Sequence, residues 1–364
     1  MFHTKIISGL EEFRDYAAEW DRLWADSNSH MALHRAQALI NFVEAFAKSE
    51  DFAVVVAENA RQWYTGIPLL LNRNRFGRLI GLSPANEWSV RDCILDVGGG
   101  NPERFAAIEK GFRELGLSSI QLPWCSLNQT GTQALIAGWE SRGRQVSIRP
   151  RFFVGRFDLH DDWSAYWTGL SRNRRKKLQK GLKELGKQGG VEFVACSAAD
   201  QDSLIQAFET SLQIELASWK GEQCSSILNH PHVAKYFRSN AAHFADCGLL
   251  RVYLLKVEGR PIAFDFGFIA NGVYTAHKVA YLNEFAACSP GQLLTIKLIE
   301  HFYETGDASS IDFLGPLSGA SEPWANSQYP VGRLMLSGGT MISDLSVLTI
   351  GKITELLRPC TLKI

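Results

Sequence analysis

The chain has 364 residues, 38 Lys and Arg against 38 Asp and Glu, a formal net charge of zero, and 46% hydrophobic residues. That length accommodates two domains or one large one, and the apolar content excludes disorder as the main state. A neutral balance excludes general nucleic-acid binding, which needs a basic surface throughout, but leaves room for a local basic patch.

The seven cysteines, Cys93, Cys125, Cys196, Cys224, Cys247, Cys288 and Cys360, are scattered and form no CxxC pair. They read as reduced thiols, neither a disulfide framework nor a zinc site. Residues 1–15 lack a signal-peptide apolar region, and no apolar run approaches the ~20 residues of a spanning helix. The expectation is a cytoplasmic protein, with peripheral attachment to a membrane or a complex left open.

Phe13, Tyr16, Ala17, Trp20, Leu23 and Trp24 recur at helical spacing and predict an amphipathic helix. A second helix follows at Ala38 to Ala47. Phe52 to Glu58 and Trp63 to Leu71 read as strands joined by a polar turn. Cys93 to Val97 and Ser119 to Pro123 are shorter strand candidates around a helix from Pro102 to Leu115. Gly98-Gly99-Gly100 lacks the spacing of a phosphate loop and reads as a flexible connection. The Arg-rich stretch from Gly143 marks a domain boundary, giving domains at 1–150 and 151–364.

In the second half, helices are expected at Trp163 to Leu185, Asp200 to Trp219 and Val233 to Asp246, with a strand at Val191 to Cys196. Strands at Leu250 to Val257, Pro261 to Ile269 and Val273 to Tyr281 follow, the last reached through Asn271-Gly272, a strong hairpin signal. A helix from Gln292 to Glu304 and a strand from Ser310 to Leu314 complete the pattern. Both halves read helix, strands, helix, strand, consistent with a weak internal duplication.

The loop Cys288-Ser289-Pro290-Gly291-Gln292 opens a helix whose unpaired N–H groups and partial positive charge suit a phosphate. Pro290 presets the first turn and Gly291 offers no side chain to obstruct a diphosphate. An ordinary helix start capped by Ser289 fits the same residues.

The order of parts adds to this reading. Ser171-Arg-Asn-Arg-Arg-Lys-Lys-Leu178, Ala217-Ser-Trp-Lys-Gly221, Gly259-Arg-Pro-Ile-Ala263, Tyr281, Ser289-Pro-Gly-Gln-Leu-Leu294 and Asp312-Phe-Leu-Gly315 form a series across residues 150–320. The series resembles GNAT-superfamily acyltransferases of the BioF2-like or CelD-like (cellulose-biosynthesis) branch, related to the FemAB peptidyltransferases. The resemblance implies an α/β (α+β) fold of two tandem GNAT-like lobes, with mixed, mostly antiparallel sheets flanked by helices. The donor site would lie in the C-terminal lobe. It also implies an N-acyltransferase, moving an acyl group from acyl-CoA to an amine such as an amino sugar or a polysaccharide or lipid precursor, without a metal.

Ser289, Pro290, Gly291, Gln292, Leu293 and Leu294 would then hold the donor. The family's usual loop, Q/R-x-x-G-x-G/A, is shortened here to Ser-Pro-Gly-Gln. Two alternatives therefore stand beside the first: a FemAB-like ligase using aminoacyl-tRNA, and a non-catalytic binding subunit of an exopolysaccharide synthesis complex.

Within this frame, Glu215 shares a helix face with Phe208, Leu212 and Trp219. Held away from water, it suits acceptance of the proton that an attacking amine loses; a helix-edge Glu with its tip in water, paired to Lys220 or Lys235, is the plainer reading. Asp265, His277 and Tyr281 are expected to look into one cleft if their faces match. His277 is placed on the face of Thr275, Val279 and Tyr281, and Tyr281 is a candidate acid for a leaving thiolate. Asp312, Trp219 and Lys220 are candidate acceptor contacts.

Arg172 to Lys187 holds eight basic residues and one acid, Glu184. Arg174, Arg175 and Lys177 are its candidate contacts for an anionic partner, against the reading of a solvated helix face. Asn229-His-Pro-His232 offers too few ligands for a metal site, and no G-x-S-x-G elbow is present.

Overall fold

The computed structural model describes residues 1–356 other than Val90, Gly100 and Asp161. Gly100 of the triple-glycine stretch and Cys360 lie outside the described residues. Two compact units divide the chain: residues 1–29, 33–153 and 329 onward form the first, and residues 30–32 and 154–328 the second.

The first unit opens with β1 (His3–Ser8), α1 (Leu10–Asp15), α2 (Ala17–Asp26) and α3 (Ala36–Phe46). The helix expected across Phe13 to Trp24 is split at Tyr16, which leaves helical geometry at φ −106°, ψ 14°. β2 (Phe52–Asn59), β3 (Gln62–Arg73), β4 (Leu79–Leu82), β5 (Leu95–Asp96), α4 (Pro102–Glu114), β6 (Ser119–Ser126) and α5 (Thr130–Glu140) follow. The unbroken apolar run of β2 reflects burial on both faces. Val54 and Val56 pack with Phe13, Trp20 and Leu39, whereas Val55 and Ala57 pack with Phe105, Phe112 and Trp139.

β7 (Val146–Asp158) carries the chain into the second unit. There the elements are α6 (Trp163–Gly169), α7 (Arg172–Gly186), β8 (Val191–Cys196), α8 (Gln201–Leu216), α9 (Trp219–Glu222) and α10 (Pro231–Asp246). They continue with β9 (Leu250–Val257), β10 (Arg260–Ala270), β11 (Val273–Tyr281), α11 (Pro290–Thr305) and β12 (Ser310–Pro316).

Two expected long helices are each cut by a serine. Ser171 caps α7 by accepting from Arg174 N–H, and Ser218 opens α9 by accepting from Lys220 N–H. A serine hydroxyl offers the backbone a cap that competes with continuing the helix.

Finally β13 (Ser327–Ser337) and α12 (Met341–Leu356) return the chain to the first unit. The sequence expectation kept all of 151–364 together; instead β13 pairs antiparallel with β6, from Val331↔Ser126 to Ser337↔Ser119.

The strands of the two units share one plan. In the first unit β1, β2, β3 and β4 pair antiparallel in turn, and β4 then pairs parallel with β6 across α4. In the second, β8, β9, β10 and β11 pair antiparallel and β11 pairs parallel with β12 across α11. The internal duplication is thus visible in strand order and sense.

The second unit's sheet is covered on one face by Phe208 of α8 and Phe237 and Phe244 of α10, against Phe266 and Phe268. On the other, Phe302 of α11 packs against Tyr253 and Tyr274. A bulge lies between them: the single step Phe266–Gly267 on β10 faces Lys278 and Ala276 on β11, leaving His277 as the extra residue.

A Cβ at Gly267 would sit 2.0 Å from the Thr275 carbonyl oxygen, so only glycine fits this strand position. Gly267→Ala is expected to destabilise the protein by about 3 kcal/mol through this overlap. Chemical denaturation of the two proteins measures it.

Candidate functional site

β11 and β12 run side by side only briefly. The parallel ladder covers Val273–Thr275 and Ser310–Asp312. Beyond it β12 turns away, with Leu314 at φ 54° and its N–H bonded to Asp312 Oδ1 at 2.8 Å. β11 runs on to Tyr281 past this short ladder, and the two strands part there. Mid-strand Val279 is 46% exposed, which marks the gap as open.

The start of α11 borders this gap. Ser289 sits in left-handed geometry (φ 55°, ψ 53°) and makes no side-chain cap. Its carbonyl instead accepts from the N–H groups of Gln292 (3.0 Å) and Leu293 (3.2 Å). Pro290 has no N–H. The Gly291 N–H is left without a protein acceptor among the described residues, and a Cβ there would meet only the Tyr281 ring, at 3.6 Å. Gly291 and Tyr281 therefore adjoin one space. Gln292 turns outward, its Nε2 on the Ala320 carbonyl at 3.0 Å, while Leu293 and Leu294 are buried.

Asp265 lies under Val279, its cross-strand partner, on the face of Tyr253 and Tyr281. It is 6% exposed, and Tyr274 donates its hydroxyl to Oδ1 at 2.7 Å. Burial pushes its carboxyl up to about 7, against the opposing pull of the Tyr274 hydrogen bond and the Lys220 charge. A carboxyl balanced near neutral pH suits proton transfer. Tyr274 was not anticipated from sequence, because its approach to Asp265 depends on sheet register.

His277 does not join this group. The bulge turns it to the opposite face, against Phe237 (5.4 Å), Phe268 (5.6 Å) and Phe266 (6.2 Å). The simple alternation that placed it beside Val279 and Tyr281 fails because one extra residue reverses the facing.

Glu215 is buried, with Oε1 on the Lys220 ammonium at 3.0 Å and Oε2 on the Ile227 N–H at 2.9 Å. Both oxygens are already engaged by donors, so Glu215 anchors Lys220 and is poorly placed as a base. Lys220 Nζ also donates to the Val279 carbonyl at 2.9 Å, which sets the ammonium beside the gap. Trp219 does not share the face of Glu215; it begins α9 and is 45% exposed.

Asp312 is buried, with Oδ2 3.6 Å from His30 Nε2 and Oδ1 holding the Leu314 turn, so it shapes the end of the gap. Arg174 stacks on Trp324 at 3.8 Å and donates to the Pro323 carbonyl, and burial lowers its pKa. It fastens the loop after β12, whereas Lys177 is exposed and Arg175 half-buried. Among the described residues no group of three or more His, Cys, Asp or Glu is placed to hold a metal, and no helix is long and apolar enough to cross a membrane.

Residues 172–326 match the family model described as an acetyltransferase (GNAT) domain. Among curated proteins none matches the chain. Among solved structures, FemX superposes with a TM-score of 0.58 at 11% identity, covering 90% of this chain and 97% of that one. L-PGS from Bacillus licheniformis does so with a TM-score of 0.51 at 10% identity, covering 92% and 96%. A C-terminal domain from Agrobacterium fabrum, named for lysylphosphatidylglycerol synthetase, gives 0.54 at 12% identity, covering 94% and 97%. At these identities the likeness is one of fold. The second unit is similar to GNAT acetyltransferase domains, and the chain as a whole shares the FemX-like fold.

The Asp265 environment has a measurable consequence. Its folded-state pKa lies above the ordinary 3.8, so the native state binds the proton more tightly than the unfolded chain. Stability is therefore full below pH 4 as far as this group is concerned, and falls as pH rises to 7 and beyond. The gap of about three pH units corresponds to roughly 4 kcal/mol. Asp265→Asn should remove that loss, so its stability relative to wild type should rise between pH 4 and pH 8. Denaturation curves across that range give the difference, free of the contribution from buried Asp92.

Proposed function

We propose that the second unit is an N-acyltransferase that moves an acyl group from acyl-CoA to an amine. The observation that carries this reading is the parting of β11 and β12 beside the start of α11, where the Gly291 N–H has no acceptor of its own among the described residues. The match of residues 172–326 to an acetyltransferase domain supports it.

In this reading the Gly291 N–H and the positive end of α11 hold the donor's diphosphate. The gap between the parting strands β11 and β12 aligns the thioester, and proximity supplies much of the rate. Asp265 takes the place expected for Glu215: it accepts the amine proton, with the Tyr274 hydroxyl as its relay. Tyr281, beside Gly291, donates to the leaving thiolate. The Lys220 ammonium, with one N–H beyond its two bonds, steadies negative charge on the acyl oxygen. The acceptor, following the resemblance, is an amino sugar or a polysaccharide or lipid precursor.

A FemAB-like use of aminoacyl-tRNA is the second reading, favoured by the FemX-like fold and by exposed Lys176, Lys177, Lys180 and Lys183 on α7.

Thermal-shift titration with acetyl-CoA tests the first reading, since a ligand of the native state raises the transition temperature by mass action. Acetyl-CoA should stabilise the wild type, and Gly291→Val should weaken that binding at least tenfold while leaving the unliganded transition within a few degrees. A steeply salt-dependent response to aminoacyl-tRNA, with none to acetyl-CoA at millimolar levels, moves the assignment to the second reading. No response to either leaves a non-catalytic binding subunit.

A further inference from the structure

On the β8–β9 side of α11, away from the β11–β12 gap, the second unit contains a cavity of about 420 Å³. Its size falls within the range of small-molecule sites, roughly 300–1,000 Å³. The walls are mainly apolar and include Trp163, Trp167, Leu182, Phe193, Leu293 and Ile296. Polar atoms enter through Gln179 and through Lys297 and Glu300, which neutralise one another at 2.6 Å. Leu182 is 39% exposed and the two tryptophans are half-buried, so the apolar lining reaches the surface.

The mouth lies beside the basic helix. Lys176 and Lys183 stand one turn to either side of Gln179 on α7, and both are exposed. Arg172, Lys177 and Lys180 add to this field, while the only acid of the helix, Glu184, is spent on Lys187 at 2.8 Å. An apolar pocket that opens under uncompensated positive charge matches an amphiphile with an aliphatic tail and an anionic head.

We propose that this cavity takes one fatty-acyl chain of an amphiphile whose phosphate-bearing head is held by the lysines of α7. The cavity shares Leu293 with the start of α11 but is otherwise lined from α6, α7, β8, β9 and the middle of α11, and the inference does not rest on the acyl-transfer reading. One buried chain binds weakly by itself, and a polybasic patch beside it makes the second signal that stable attachment needs.

The test uses the full chain with vesicles of equal parts phosphatidylglycerol and phosphatidylcholine, the phosphatidylglycerol carrying brominated chains. Bromine should quench tryptophan fluorescence on binding, and the quench should largely vanish in the Trp163→Phe/Trp167→Phe double variant. Leu182→Glu, at an exposed position, should lower affinity at least tenfold with an unchanged circular dichroism spectrum. Gln179→Glu, also exposed, serves as the second probe of the mouth. Lys176→Glu/Lys183→Glu should remove the preference for these vesicles over pure phosphatidylcholine. Palmitoyl-CoA, titrated separately, distinguishes the sources: saturable binding sensitive to Leu182→Glu, without vesicle binding, assigns the chain to a soluble thioester. Binding that Leu182→Glu and Gln179→Glu leave unchanged, or no binding of either amphiphile, overturns the proposal.

Discussion

The bulge between β10 and β11 is the constraint on which the second unit's chemistry depends. Because side chains alternate along a strand, one inserted residue reverses the facing of everything beyond it. It keeps Tyr274 on the face of Asp265 while His277, three residues on, turns to the aromatic layer of α8 and α10. Val279 and Tyr281 then return to the Asp265 face, beside the start of α11. The same inserted residue bends β11 as its short parallel ladder with β12 comes to an end. Gly267 is the residue that permits this, since the Thr275 carbonyl occupies the space a side chain needs.

Two buried carboxylates in this unit have opposite surroundings, and the contrast decides their roles. Glu215 meets an ammonium and a backbone N–H, donors that stabilise a full negative charge. Asp265 is buried with one hydrogen bond, from the Tyr274 hydroxyl, and desolvation outweighs that bond and the Lys220 charge, so its proton is retained to near neutrality. Glu215 is thus tied at both oxygens, whereas the raised pKa of Asp265 leaves it able to exchange a proton near neutral pH. Burying Asp265 in this way lowers stability at neutral pH, a cost that functional sites often carry. Glu215 serves the site at one remove, by fixing Lys220 against the Val279 carbonyl.

Local pattern carried much of this fold and little of the site. The strands from Leu250 to Tyr281 are legible almost to the residue, because period-two apolarity and the Asn271-Gly272 turn act over neighbouring positions. The breaks at Ser171 and Ser218 were missed: the apolar spacing continues across each of them, and only the hydroxyl cap ends the helix. Trp219 was placed beside Glu215 for that reason. The facing of His277 and the Tyr274–Asp265 bond depend on register, which is set between strands and is invisible along one. The isolated glycine in AFDFGF was the available signal, since a strand-interior glycine often marks a bulge. Arg174 was read as part of a surface patch, but its neighbour Trp324 lies 150 positions away in sequence. The return of β13 to the first unit has the same origin, a pairing over long sequence separation.

The duplicated plan is finished differently in the two units. In the first unit the helix equivalent to α11 is α4, and its N-terminus is already filled: the Asn101 side chain accepts from the Glu103 N–H, and the Glu103 carboxylate lies in the first turn. That acid repels an anion where α11 would attract one. The parallel pair β4–β6 extends past its ladder through the Ser83 N–H on the Gln121 carbonyl, at 3.1 Å. Further along β6, Asp92 closes on Trp124 twice, its N–H on the Trp124 carbonyl at 3.4 Å and its Oδ2 on the Trp124 N–H at 2.7 Å. The first unit thus closes its own β4–β6 edge with backbone and Asp92 bonds, whereas in the second unit β12 turns away from β11 at Leu314, so the same strand plan ends in a closed pair and in a parted one.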